Sequence, residues 1–130
     1  MKISGKFDVS LNPMDTYATS VDSSQLCRMS IDKQFHGDLS AESKGEMLSV
    51  LTQVQGSAGY VAIEQVVGTL VGKQGSFVLQ HYGVMADGTD RLILEVVPNS
   101  ATNELIGLSG TMAIRIENGQ HFYDFDFTLD

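Results

Sequence analysis

Apolar and polar residues alternate along most of this chain, with the period of two that places successive side chains on opposite faces of a β-strand. Residues 3 to 11 set Ile3, Gly5, Phe7, Val9 and Leu11 on one side, and Asn12-Pro13 stops the run. Residues 13 to 24 are polar and rich in turn formers, and read as a loop. A second strand, 25 to 36, puts Cys27, Met29, Ile31, Lys33 and Phe35 on one face, and a third follows from 40 to 54 with small residues early. Residues 60 to 97 form three long strands joined by turns at Gly72-Lys73-Gln74-Gly75 and Ala86-Asp87-Gly88-Thr89. After Pro98 the chain makes at most a short helical turn, where Thr102-Asn103-Glu104-Leu105 has the pattern of a cap. Strands from about 107 to 117 and from 120 onward flank Asn118-Gly119, a strong hairpin dipeptide. Eight evenly spaced strands with no long helix predict an all-β fold, an eight-stranded antiparallel barrel in a single domain over 1–130. A barrel is preferred to a sandwich because closure removes sheet edges.

The middle three strands carry the chemistry. With the loops taken as two residues each, Val66 lies opposite His81 and Leu70 opposite Phe77, while His81 faces Leu94 across the second hairpin. The inward face is then Tyr60, Ala62, Glu64, Val66, Gly68 and Leu70, continued by Phe77, Leu79, His81 and Gly83. Glu64 and His81 become diagonal neighbours on an apolar face. A carboxylate and an imidazole placed there must be paired, hydrogen-bonded or neutral. Lys33 is the other ionic residue in an inward set: either it reaches the barrel rim, the preferred reading, or it is the cationic partner of Glu64.

Three roles fit the Glu64–His81 pair. It holds strand register as a satisfied core hydrogen bond, it lines a ligand cavity, or it moves protons in a cofactor-free isomerase or cyclase. Glu64 and His81 are the candidate catalytic residues, and Tyr60, Phe77, Lys33, Met112 and Tyr123 the candidate ligand contacts. The expected occupant is a small apolar or amphipathic molecule in the barrel interior. A filled barrel acting as an assembly module is the structural alternative. The outward face keeps Val61, Ile63, Val78 and Val84, and so much exposed apolar surface predicts a homo-oligomer through these strands.

Composition narrows the classes. A net charge of −8 and a pI near 4.6 argue against nucleic acid and anionic lipid as partners. No apolar run approaches the roughly 20 residues of a membrane span, and the first residues lack the apolar segment of a signal peptide, so a cytoplasmic location is expected. The single Cys27 has no internal disulfide partner and reads as a small buried hydrophobe. His36, Asp38, His81 and His121 show no metal-ligand spacing, and no metal or cofactor is expected.

Two stretches, GYVAIEQVVGTLVGKQGSFVLQHYG and VVPNSATNELIGLSGTMAIRIENGQHFYDFDFTLD, resemble a family of small bacterial proteins catalogued as a domain of unknown function. The likeness runs from about Phe35 onward, and Gly-Ser-Phe-Val-Leu-Gln-His is its most specific part. It implies an eight-stranded, oligomeric barrel similar in architecture to plant allene oxide cyclase, and no established activity. Asn99, Ala101 and Asn103 depart from the more glycine-rich loop expected there. Architecture alone carries no catalytic residue across.

Overall fold

A computed structural model of the chain describes residues 1–129. Its strands are β1 (Lys2–Met14), β2 (Gln25–Phe35), β3 (Leu39–Leu51), β4 (Ala58–Leu70), β5 (Lys73–Ala86), β6 (Thr89–Val96), β7 (Ser109–Glu117) and β8 (Gln120–Thr128). Each pairs antiparallel with the next, and β8 returns to β1, with Ile3 opposite Phe125, to close the barrel. The one helical element among the described residues is a 3-10 turn, Asn103–Leu105. Its polar residues do not form the cap expected of them. The Thr102 hydroxyl accepts from the Ser76 N–H at 3.1 Å, and Glu104 accepts from the Gln74 N–H at 2.9 Å, so both pin the start of β5 instead.

Two local expectations change. First, β1 passes through Pro13, which pairs with Met29. On its other side β1 pairs with β8 only from Lys2 to Phe7, so the missing proline N–H falls on an overhang with no second neighbour. Second, the β4–β5 loop is Val71-Gly72 and not Lys73-Gln74, and Val66 therefore faces Phe77 while Ala62 faces His81. A two-residue type I′ loop needs positive φ at both positions. Lys73-Gln74 contains no glycine, whereas Val71 and Gly72 stand at φ 48° and 79°, matching Asp87-Gly88 at 51° and 75°. The correction moves the pairing by an even number, so no side chain changes face.

The two ends of the barrel differ. At the end that carries the β2–β3 and β4–β5 turns, Phe35 packs edge-on to Tyr123 with centroids 5.6 Å apart, and Phe77 stacks on Phe125 at 6.0 Å. Leu105 from the 3-10 turn closes over them, and all these side chains are buried. Tyr123 finishes the plug: its hydroxyl donates to the His36 carbonyl at 2.9 Å and accepts from the Leu39 N–H at 3.2 Å. The opposite end is open. There the inward-facing Leu11, Leu92 and Ile116 are exposed, Ile116 by 66%. The wall is low on that side because β1 overhangs the short β7–β8 hairpin.

Candidate functional site

Between plug and mouth lies a polar layer: Lys33, Ser43, Glu64 and His81, all buried, from β2, β3, β4 and β5. Register brings them together. Lys33 is directly opposite Ser43, Gly45 is opposite Glu64, and Leu79 is opposite Glu64, which leaves His81 one diagonal step toward the mouth. The close approach of β3 to β4 here needs Gly45, where an added Cβ would lie 2.1 Å from the Ile63 carbonyl oxygen and 2.6 Å from the Glu64 Cα.

The carboxylate is saturated. Ser43 Oγ donates to Oε1 at 2.7 Å, Lys33 Nζ donates to Oε2 at 2.8 Å, and His81 Nε2 reaches the same Oε2. Lys33 is thus the cationic partner of Glu64 and does not reach for the rim. A buried ammonium is stable here because it has a buried counter-charge and aromatic faces, with the Phe7 centroid 4.9 Å and the Phe35 centroid 5.7 Å from Nζ. Burial pushes the Glu64 carboxyl up, but the His81 hydrogen bond and the Lys33 ammonium outweigh it and hold the group at about 2. Every buried side-chain polar atom among the described residues has a partner.

One group carries the layer toward the mouth. The Tyr60 hydroxyl lies 3.2 Å from His81 Nδ1. The His81 ring thus bridges Glu64 Oε2, through Nε2, and the phenol, through Nδ1. Burial, and then the Glu64 charge, raise the Tyr60 phenol above its usual value, so it stays protonated. Its ring rests across Gly83, where a Cβ would come 2.3 Å from Tyr60 Cε1.

Tyr60 also lines a mouth cavity of about 530 Å3, with Met47, Ser49, Leu92, Ile114 and Ile116 among its other walls. Of the candidate ligand contacts, only Tyr60 belongs to this cavity. Lys33 lies in the polar layer, Phe77 and Tyr123 are in the plug, and Met112 lines a separate cavity between β6 and β7. Ser43, the fourth member of the polar layer, was legible only as one of the small residues of β3. Its signal was the cross-strand position opposite Lys33. Among the described residues no cluster of three or more potential metal ligands occurs, and no helix is long and apolar enough to cross a membrane.

Comparison with known proteins adds a family and no activity. Residues 3–127 match a family model described as "Protein of unknown function (DUF3224)". A crystal structure of a protein of unknown function from that family, from Shewanella oneidensis MR-1, is similar at 64% identity, covering 100% of this chain and 97% of that one, with a TM-score of 0.98. No curated protein matches.

Proposed function

Since the chain belongs to DUF3224, a family of unknown function, we propose a role from the site itself: a cytoplasmic barrel that binds a small apolar or amphipathic molecule in its open mouth. The observation that carries this reading is the cavity of about 530 Å3 walled by Met47, Leu92, Ile114 and Ile116, with the Tyr60 phenol as its link to the polar layer. Its size is that of a ligand site, and a mainly apolar wall that also carries Ser49, Asp90, Arg91 and the Tyr60 phenol suits an amphipathic molecule. The Tyr60 phenol, able both to donate and to accept, suits a ligand with one hydrogen-bonding polar group. The Lys33–Glu64–Ser43 cluster acts as a rigid support, fixing His81 and through it Tyr60.

The isomerase or cyclase reading is weaker on physical grounds. A carboxyl held at about 2 is a poor base near neutrality, where proton transfer favours groups close to the working pH. The test is native mass spectrometry of protein purified from cells, followed by titration with the amphipathic dye 8-anilinonaphthalene-1-sulfonate. A retained mass, or saturable dye binding abolished by Ser49→Trp, supports the reading. No retained mass together with dye binding that Ser49→Trp leaves unchanged overturns it.

A second reading concerns assembly. On the outer face, direct pairing lines up Leu48, Val61, Tyr82 and Ile93 across four strands, each exposed by 44% or more. A straight apolar row of this kind suits contact with the same row of a second copy. Val61→Lys is expected to weaken such a homo-oligomer in light scattering; an unchanged mass would refute this use of the face.

A further inference from the structure

The barrel has one weak seam. β6 and β7 share a single pair, Glu95 with Thr111, among the described residues, whereas β7 and β8 share nine. Carried on toward the mouth, that register would set Ile93 opposite Ala113 and Arg91 opposite Arg115, and like charges directly opposite disfavour a ladder. Arg115 is instead turned to β8, where Asp124 holds it at 2.6 Å. A cavity of about 630 Å3 opens where β6 and β7 part. Its floor is apolar, made by the inward-facing Ile3, Leu92, Leu94, Met112 and Phe125. Ile93 and Ala113 form its sides, and the polar residues, Lys2, Asp124 and Asp126 among them, stand along its outward rim.

This seam is continuous with the mouth. Leu92 belongs to the walls of both cavities. It faces inward yet is 38% exposed, while Leu94, two residues toward the plug, is 2% exposed. On β7 the inward positions divide in the same way: Ile114 lines the mouth and Met112 the seam. The apolar lining therefore runs from Leu92 and Ile114 to Leu94 and Met112 with no polar side chain between them on the inward face of either strand. A compact ligand would use the mouth alone. A lining with hydroxyls at Tyr60 and Ser49 and hydrocarbon along the seam matches a molecule with one polar head and a long unbranched chain. Such a chain gains by leaving water, and lying on the floor beneath the strand edges it leaves their unpaired main-chain groups to solvent.

We propose that the β6–β7 seam is the tail groove of the mouth site: the polar head of an amphipathic molecule sits by Tyr60, and its unbranched hydrocarbon chain passes Leu92 and lies along Leu94 and Met112. The proposal rests on the mouth as a binding site. It adds a second compartment to that site and a ligand class, the long single-chain amphiphile.

The experiment uses hexanol and dodecanol as probes. Dodecanol carrying a diazirine near its terminal carbon is photolysed on the full-length wild type, and the adduct is located by tandem mass spectrometry. The expected adducts are on Leu94, Met112 or Ala113. Adducts confined to Met47, Leu51 and other mouth residues overturn the groove and leave the mouth site standing. Calorimetric titration then compares wild type with Ala113→Trp, at an exposed position that lines the seam alone, and with Ser49→Trp, at a position that lines the mouth alone. Each methylene kept from water favours binding about fourfold. Ala113→Trp is thus expected to raise the dodecanol dissociation constant by at least about tenfold and the hexanol constant by less than about twofold, while Ser49→Trp weakens both. Equal effects of Ala113→Trp on the two alcohols, or no effect on either, overturn the proposal. Binding of neither alcohol to wild type overturns the groove and the mouth reading together. The cross-link needs no substitution, so it decides the question even where Ala113→Trp fails to fold.

Discussion

Replacing Lys33 by Met tests whether the polar layer holds the barrel together. Methionine keeps the length of the side chain and its packing against Phe7 and Phe35 but removes the ammonium 2.8 Å from Glu64 Oε2. At an effective dielectric of about 20, a pair at that distance attracts by roughly 6 kcal/mol. Breaking a buried pair costs about 3–5 kcal/mol once water, rearrangement and protonation relieve part of the loss. Glu64 and Lys33 are both buried, so little of this is screened by solvent. With a urea dependence of roughly 2 kcal/mol per M, the unfolding midpoint is expected to fall by about 2 M. The double variant Lys33→Met/Glu64→Gln removes the uncompensated charge and is expected to recover at least half of that fall. Urea titrations followed by circular dichroism at pH 7 give both numbers. A Lys33→Met midpoint within about 0.5 M of wild type, equivalent to about 1 kcal/mol, would mean that the ammonium does not support Glu64, and the reasoning fails.

Acid provides a second test of the same layer. The Glu64 carboxyl is lowered from 4.5 to about 2, so its contribution is complete above about pH 4.5 and is lost as pH falls toward 2. The difference corresponds to on the order of 3 kcal/mol. Wild type should therefore lose stability across that window more steeply than Glu64→Gln; parallel curves would contradict it. Gly45→Ala meets backbone at 2.1 Å, whereas Gly83→Ala meets the Tyr60 ring at 2.3 Å, a side chain able to swing. Thermal melts should show Gly45→Ala as much the more damaging, and the reverse order would undo the argument that the β4 backbone leaves no room at position 45. Tyr123→Phe leaves the Leu39 N–H without its phenol acceptor, and a loss of about 1–3 kcal/mol is expected in urea titration. No measurable loss would show that the plug does not need the phenol.

Much of the fold was legible because strand periodicity is local. The alternation that sets Glu64 and His81 inward is readable from a few neighbouring residues, and it survived an incorrect β4–β5 loop because the error moved the register by an even number. Asp87-Gly88 and Asn118-Gly119 announce their turns through the dipeptide itself. Val71-Gly72 does not, since a β-branched residue is a poor choice for positive φ. Glu64 was one of two readings for Lys33, and the choice against the preferred rim was not legible, because it depends on how far the barrel closes around Glu64 and on which end is plugged. Those facts arise from pairings many residues apart, such as Ile3 with Phe125. The same holds for Phe77 and Tyr123, whose inward direction was readable but whose depth was not.

Three glycines described by what their missing side chains would strike make the barrel a set of paired choices. Gly45 admits the β4 backbone at Ile63, Gly83 admits the Tyr60 ring, and Gly5, where a Cβ would lie 2.3 Å from the His36 carbonyl oxygen and 2.6 Å from the Tyr123 hydroxyl, admits the plug. Drift at position 83 is therefore constrained by Tyr60, whereas positions 45 and 5 first meet the Ile63 and His36 carbonyl oxygens and are held by the backbone itself. A lineage that gives up the Tyr60 ring frees position 83 to gain a side chain, and one that keeps the ring keeps the glycine. Across the family, the state of the 60/83 pair should thus sort members with a mouth like this one from members that have filled it, while the 5/123 pair stays fixed in both groups because each still needs its plug. The barrel would then evolve as two modules on one scaffold, a constant end and a variable one.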